Sequence, residues 1–152
     1  MADGWQMPVR ALLQASRVAF LATQGQQGPE TSMAPFALYQ GALLLHLSKL
    51  ARHTANIESS PHIGAMICTP ESPGLSPLAL PRLSLSGVVE LVPDIELESA
   101  RTAYLSHIPE AEALFSFADF RLFRLIPSEV YWVGGFGQAR RLPVEAFQGL
   151  AG

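Results

Sequence analysis

Residues 43–61, LLLHLSKLARHTANIESSP, begin as an apolar segment, pass through a short polar turn and continue directly into a predicted helix. Successive side chains of a strand alternate between its faces, so Leu43, Leu45 and Leu47 are expected to share one face. The helix is predicted over about residues 50–59 and ends before Pro61, because the residue before a proline avoids helical geometry. This strand and helix form the centre of the predicted fold.

Positive charge is concentrated where this helix begins. Lys49, Arg52 and His53 lie within five residues, although the whole chain has only 10 Lys and Arg residues. Unpaired N–H groups and the positive end of the helix dipole also attract anions there. Together with Ser48 and Thr54, these side chains could form a phosphate clamp. The alternative, which the spacing alone favours, is a capped helix with a solvated basic face.

The rest of the chain is typical of a β-barrel. Pro35 predicts a bulge or a sheet edge, and Gly87 predicts a bulge or a close approach. The connections are short and there is no βαβ alternation, which favours an antiparallel barrel with helices packed outside. Strands are expected over residues 17–23, 30–38, 42–48, 62–69, 82–92, 120–126 and 129–133, and helices over residues 7–16, 94–107 and 109–117.

Two further groups are ambiguous from the residues alone. Arg82 and Ser84 fall on the strand face opposite Leu83, which fits a solvent-facing edge as well as it fits a ligand site. Trp132 adjoins glycines that would let a flat ligand approach, although a core position is the favoured interpretation. His46 could line the same cavity as the basic helix start, but a lone strand histidine is more often a hydrogen-bonded structural residue.

Several classes of chemistry lack support in the sequence. The chain has no HExxH, P-loop, GxSxG or GxGxxG motif, and no metal site is evident. No nucleophile and base pair can be named, so the catalytic residues are unknown. Redox chemistry would have to come from a bound cofactor.

The composition predicts one domain over residues 1–152 with a thin polar surface. Hydrophobic residues make up 49% and charged residues 15% of the chain, so we expect a homodimer that buries an apolar patch. The net charge of −3 gives no general attraction for nucleic acid or for anionic membranes. A single cysteine, Cys68, and the lack of a signal peptide or a long apolar segment predict a cytoplasmic protein.

Four segments resemble the FMN-binding split-barrel proteins related to pyridoxamine 5'-phosphate oxidase. They are GPETSMAPFAL (28–38), LLLHLSKLARHTANIESSPHIGAMI (43–67), RLSLSGVVELV (82–92), and FRLFRL with VYWVGGFGQA (120–125 and 130–139). The resemblance extends over about residues 9–142, and the LSxLAxHTxN and GGFGxA segments are similar to those of the haem-utilisation (HugZ-type) branch. Haem-degrading members carry a further C-terminal domain with a haem ligand, which these 152 residues do not include.

The resemblance implies a mainly β, six-stranded antiparallel Greek-key split β-barrel with peripheral helices, and a homodimer with FMN at its interface. An arginine on the FMN phosphate in the vitamin B6 oxidases is replaced here by Ser32. By position, the implied cofactor contacts are Ser32, Met33, Ala34, Pro35, Ser48, Lys49, Arg52, His53, Thr54, Arg82 and Trp132.

We therefore predict an FMN-binding flavoprotein, a flavin-dependent oxidoreductase acting on an unknown small-molecule substrate. The alternatives are a haem- or tetrapyrrole-binding protein, a non-catalytic flavin binder, and a protein that holds a deazaflavin cofactor. The four imidazoles available to a haem iron are those of His46, His53, His62 and His107.

Overall fold

The computed structural model describes residues 4–152, which form one antiparallel sheet with helices around it. The helices are α1 (Gln6–Ala15), α2 (Arg52–Ser59), α3 (Leu97–His107) and α4 (Val144–Leu150), with 3-10 segments at Pro77–Ala79, Asp94–Glu96 and Pro109–Ser116. The strands are β1 (Val18–Gly25), β2 (Gly28–Pro35), β3 (Ala37–Tyr39), β4 (Ala42–Ser48), β5 (His62–Cys68), β6 (Arg82–Leu91), β7 (Phe120–Val133) and β8 (Ala139–Leu142).

The strand order is β2-β1-β5-β6-β7-β4-β3, and β8 pairs with β7. The predicted class, mainly antiparallel β with peripheral helices, is confirmed. The six strands that the resemblance implies become eight in this sheet, because the short elements β3 and β8, of 3 and 4 residues, are added to it. The expected break at Pro127 is also wrong, since β7 continues through it. Pro127 is accommodated because the β6–β7 register shifts between Ser86 and Gly87.

The larger core lies on the inner face of the sheet. Leu43, Leu45 and Leu47 of β4 all point into it, which confirms the alternation predicted for this strand. Leu13 of α1 and Phe147 of α4 are buried in the same cluster. The apolar stripes of these two helices therefore complete the interior of the sheet.

A second core covers the other side of β4. Leu44 packs there with Leu122 of β7 and with Tyr104 of α3, while Phe115 of the 3-10 segment packs against the cluster. His46 belongs to the same face and contacts Tyr104 and Phe115 with its ring. Because α3 and the segment after it cover this face, β4 is buried on both sides.

A third surface, which we name the outer sheet face, is formed by β1, β2, β5, β6 and β7. Its cross-strand neighbours are in register, so that Phe20 lies opposite both Met33 and Met66, and Ser84 lies opposite Met66 and Tyr131. Exposed apolar side chains dominate it, with Phe20 49% and Met33 54% exposed. Its apolar members are Val18, Phe20, Met33, Met66, Val88, Ile126 and Tyr131.

Candidate functional site

The turn between β4 and α2 is held by its own side chains. The Thr54 hydroxyl, fully buried, donates to the Ser48 carbonyl oxygen at 2.6 Å. The Ser48 hydroxyl donates to Asp119 Oδ2 at 2.9 Å and accepts the backbone N–H of Leu50 at 3.1 Å. Both hydroxyls therefore fix the turn before α2, and Ser48 also ties that turn to Asp119, the residue before β7.

The basic residues of α2 lie over the β1–β2 hairpin. His53 Nδ1 and the Ser32 hydroxyl are 2.8 Å apart, and burial lowers the pKa of His53, which favours the neutral imidazole. Arg52 Nε is 3.6 Å from Glu30 Oε1, and the Arg52 side chain is largely exposed. The structure thus brings Ser32, Arg52 and His53 together at one end of α2.

The other predicted contact residues are spread over the sheet. Met33 and Pro35 are exposed on β2, whereas Ala34 between them is buried, and Lys49 is exposed in the turn before α2. The guanidinium of Arg82, at the start of β6, donates to the Leu80 carbonyl oxygen at 2.9 Å in the loop before that strand. Trp132 is only 3% exposed and packs in the larger core, as the favoured interpretation of its position expected.

The outer sheet face carries two shallow depressions, of about 440 and 320 Å3. Ser84 borders both of them, so they adjoin across β6. Tyr131 and Arg141 line the larger depression and Phe20 and Met66 the smaller one. His62 lies on the same face at the start of β5, opposite Val88, and is exposed.

A separate cavity of about 540 Å3 lies beside the second core. His46 borders it, and its Nδ1 atom is buried without a hydrogen-bond partner among residues 4–152. Burial, with the nearby charge of Arg101, lowers the pKa of His46 to about 4. The sequence analysis allowed His46 to line one cavity together with the basic helix start, but neither Ser48 nor a residue of α2 lines this cavity. The remaining lining residues are Leu91, Val92, Pro93, Asp94, Leu97, Phe115, Phe120, Arg121 and Leu122.

No grouping of three or more His, Cys, Asp or Glu side chains suited to a metal ion occurs within residues 4–152. In that same part of the chain, no helix has the length and apolar character to cross a membrane.

The eight-stranded antiparallel sheet with helices around it defines a split-barrel protein. A protein of Listeria innocua that carries the name of pyridoxamine 5'-phosphate oxidase has this fold, with a TM-score of 0.63, 18% identity, and coverage of 86% of this chain and 99% of that one. A profile of the family described as "CREG, beta-barrel" matches residues 9–148. The chain belongs to the CREG β-barrel family.

Two relatives of higher identity are named for haem. Heme oxygenase HutZ of Vibrio cholerae is 33% identical over 135 residues, which cover 86% of this chain and 77% of HutZ. The structure of a heme-binding protein from Mycobacterium smegmatis matches with a TM-score of 0.88 and 30% identity over 98% of this chain. The chain covers 62% of the length of that mycobacterial protein.

These relatives correct the predicted function. The reading of the chain as an FMN flavoprotein and flavin-dependent oxidoreductase is wrong, because relatives of this identity are named for haem rather than flavin. The resemblance to pyridoxamine 5'-phosphate oxidase identified the fold, which is common to proteins of different function. The alternative of a haem or tetrapyrrole ligand is the one that the relatives favour.

Proposed function

We propose that this protein binds haem. The observation that carries the proposal is the 33% identity with heme oxygenase HutZ, over 77% of that protein. One relative is named an oxygenase and the other a binding protein, so haem binding is the property that both names share. Bound haem would supply iron-centred redox chemistry, and the protein would supply the binding surface and its polarity.

The outer sheet face has the chemistry that a porphyrin needs. Its exposed Phe20 and Met33 side chains and the half-buried Met66 offer apolar area to the flat ring. His62 on the same face presents an imidazole, a common haem-iron ligand, and it makes no hydrogen bond with the described residues. Arg141, whose Nη2 atom is 3.5 Å from Glu129 Oε2, is a cation suited to a propionate.

The three other imidazoles are less suited to an iron on this face. His107 Nε2 lies 2.7 Å from the Ser16 carbonyl oxygen, and His53 Nδ1 lies 2.8 Å from the Ser32 hydroxyl. His46 lies in the second core, on β4, which is not a strand of the outer sheet face. His62 is therefore the iron ligand that we propose.

We further propose that two copies of the chain pair through the outer sheet face and share the haem site. The face exposes Phe20, Met33, Val88 and Tyr131, each by 45% or more. Contiguous apolar patches of this kind are typical of interaction sites, and a low charged fraction of 15% is consistent with a buried interface.

Titration with ferric haem tests the proposal. We expect a saturable Soret shift at micromolar protein, weakened at least about tenfold in Phe20→Glu, because a carboxylate would lie against the porphyrin. Ile95→Glu is the matched control, since Ile95 is 93% exposed and lies outside the sheet. Absence of saturable binding, or equal binding by Phe20→Glu and the wild type, would contradict the proposal.

Two measurements separate the iron ligand and the dimer from binding itself. His62→Ala should change the Soret maximum and the ferric EPR signal, whereas His107→Ala should leave both unchanged. Light scattering should give a dimer for the wild type and a monomer for Phe20→Glu. A spectrum that is the same in His62→Ala would reject the ligand assignment, and a monomeric wild type would reject the dimer.

A further inference from the structure

The cavity beside His46 has walls that are mainly apolar and aromatic. Leu91, Leu97 and Leu122 contribute aliphatic surface, and Phe115 and Phe120 contribute rings. The volume of about 540 Å3 is within the range of about 300–1,000 Å3 found for small-molecule sites. Such walls favour an apolar ligand, and the aromatic rings favour a flat one.

The His46 ring is fixed in place. It stacks on Phe115 with centroids 3.8 Å apart and planes 11° apart, and it contacts Tyr104 and Phe120 at 5.7 and 5.2 Å. The residue is buried, with a relative exposure of only 6%. The stacking therefore holds a rigid imidazole at the wall of the cavity.

Two side chains that line this cavity have buried nitrogen atoms without partners in the part of the chain described. These atoms are His46 Nδ1 and Arg121 Nε. Arg121 also forms an ion pair with Glu58, its Nη2 atom lying 2.5 Å from Glu58 Oε2, so its charge is already balanced. Buried polar atoms are seldom left unpaired in native proteins unless water, an ion or a ligand completes them.

We infer that this cavity is a second binding site, for a planar aromatic compound that carries a hydroxyl group. The ring of the compound would pack between the leucine side chains and Phe120. A hydroxyl both donates and accepts, so it can pair with either tautomer of the neutral His46 imidazole. The lowered pKa of His46 keeps the imidazole neutral at pH 7.

The site is independent of the haem proposal. The cavity is lined from β4, the start of β7, the end of β6, the start of α3 and the Pro109–Ser116 segment. The proposed haem surface lies on β1, β2, β5, the first part of β6 and the later part of β7. The two sites share no lining residue. Protein without haem can therefore be used to test the cavity, and failure of one proposal does not decide the other.

Methyl NMR with 2-naphthol and naphthalene as probes tests the inference. We expect saturable shifts of the Leu91, Leu97 and Leu122 methyl signals, with a dissociation constant of about 1 mM or tighter for 2-naphthol. His46→Phe keeps a ring against Phe115 but removes the nitrogen atoms. This variant should weaken the binding of 2-naphthol about fivefold, because one hydrogen bond is lost. It should change the binding of naphthalene, which has no hydroxyl, less than about twofold.

A second variant tests the location. Leu97→Trp should fill the cavity and remove the shifts for both probes, whereas Ile95→Trp, an exposed neighbour that does not line the cavity, should keep them. The inference is overturned if 2-naphthol gives no saturable shift, as expected for a cavity that holds only solvent. It is also overturned if His46→Phe binds 2-naphthol like the wild type, or if the shifts map to Val18 and Val88 of the outer sheet face.

Discussion

The buried, neutral His46 should make the stability of this protein fall as the pH falls. The folded state holds the imidazole neutral down to its lowered pKa of about 4, against an ordinary value of 6.5. Between these values the unfolded chain binds a proton that the folded chain does not. Because the unfolded state then holds more protons, the free energy of unfolding decreases with decreasing pH in this window.

The size of this loss follows from the pKa difference. Each pKa unit corresponds to about 1.4 kcal/mol, so acidification from pH 7 to pH 4 should cost about 3 kcal/mol through His46 alone. The cause is the burial of the ring among Tyr104, Phe115 and Phe120, which penalises the charged imidazolium. Nearby Arg101 adds to the penalty, because its positive charge repels a second one.

Urea unfolding at pH 7, 6, 5 and 4 measures the effect in the wild type and in His46→Phe. At pH 7 the two should agree within about 1 kcal/mol, because phenylalanine keeps the ring contacts and removes an unpaired nitrogen. At pH 4 the variant should be more stable by about 3 kcal/mol. His62→Gln, which alters an exposed histidine, should follow the wild type.

His53 also has a pKa lowered by burial. Because the wild type and all these variants contain His53, its effect on stability cancels when their free energies of unfolding are compared. Parallel loss of stability in the wild type and in His46→Phe between pH 7 and pH 4 would refute the reasoning. It would mean that His46 is not the buried neutral group that the packing indicates.

Two further substitutions test the fold by urea unfolding at pH 7. Gly87→Ala should lower the free energy of unfolding by about 2–4 kcal/mol, because the new Cβ would lie 2.0 Å from a carbonyl oxygen of β7. Gly149→Ala is the control, since a Cβ there meets open space and should leave the stability unchanged or slightly raised. An unchanged free energy of unfolding in Gly87→Ala would show that the backbones of β6 and β7 do not approach so closely at this position. Thr54→Val should lower the free energy of unfolding by about 1–2 kcal/mol, because it removes a buried hydrogen bond. Thr102→Val, at an exposed site, should lower it by less than about 0.5 kcal/mol. Equal losses at both threonines would contradict the structural role of Thr54.

Local patterns in the sequence predicted much of the sheet. The alternation in β6 correctly separated Leu83 and Leu85 from Arg82 and Ser84, because a strand with one buried face has a period of two. Gly87 was correctly expected at a bulge or close approach. The short strand β8 escaped prediction, since ARRL has no apolar alternation and is recognisable only by its pairing with β7.

The candidate sites depended on contacts that no local pattern contains. SKLARHT was recognisable as a helix start, yet Ser48 bonds to Asp119, which is 71 residues away. Likewise, the mostly apolar composition of residues 62–69 does not show that β5 alternates between buried side chains and side chains that are at least partly exposed. Whether a helix covers a given face is decided by long-range packing, which a single strand cannot reveal.

The side of the sheet that points away from the main core is covered over some strands and open over others, which explains why the proposed sites can be tested separately. On β4 and β7, α3 and the Pro109–Ser116 segment bury the side chains that point away from the main core, which encloses His46. On β1, β5 and most of β6, no element of the described chain covers the corresponding side chains, so Phe20 and Val88 remain exposed. A charge at position 20 should therefore weaken haem binding and dimer formation and leave the cavity intact. A substitution of His46 should change ligand binding in the cavity and the stability at acid pH, and leave the outer sheet face intact.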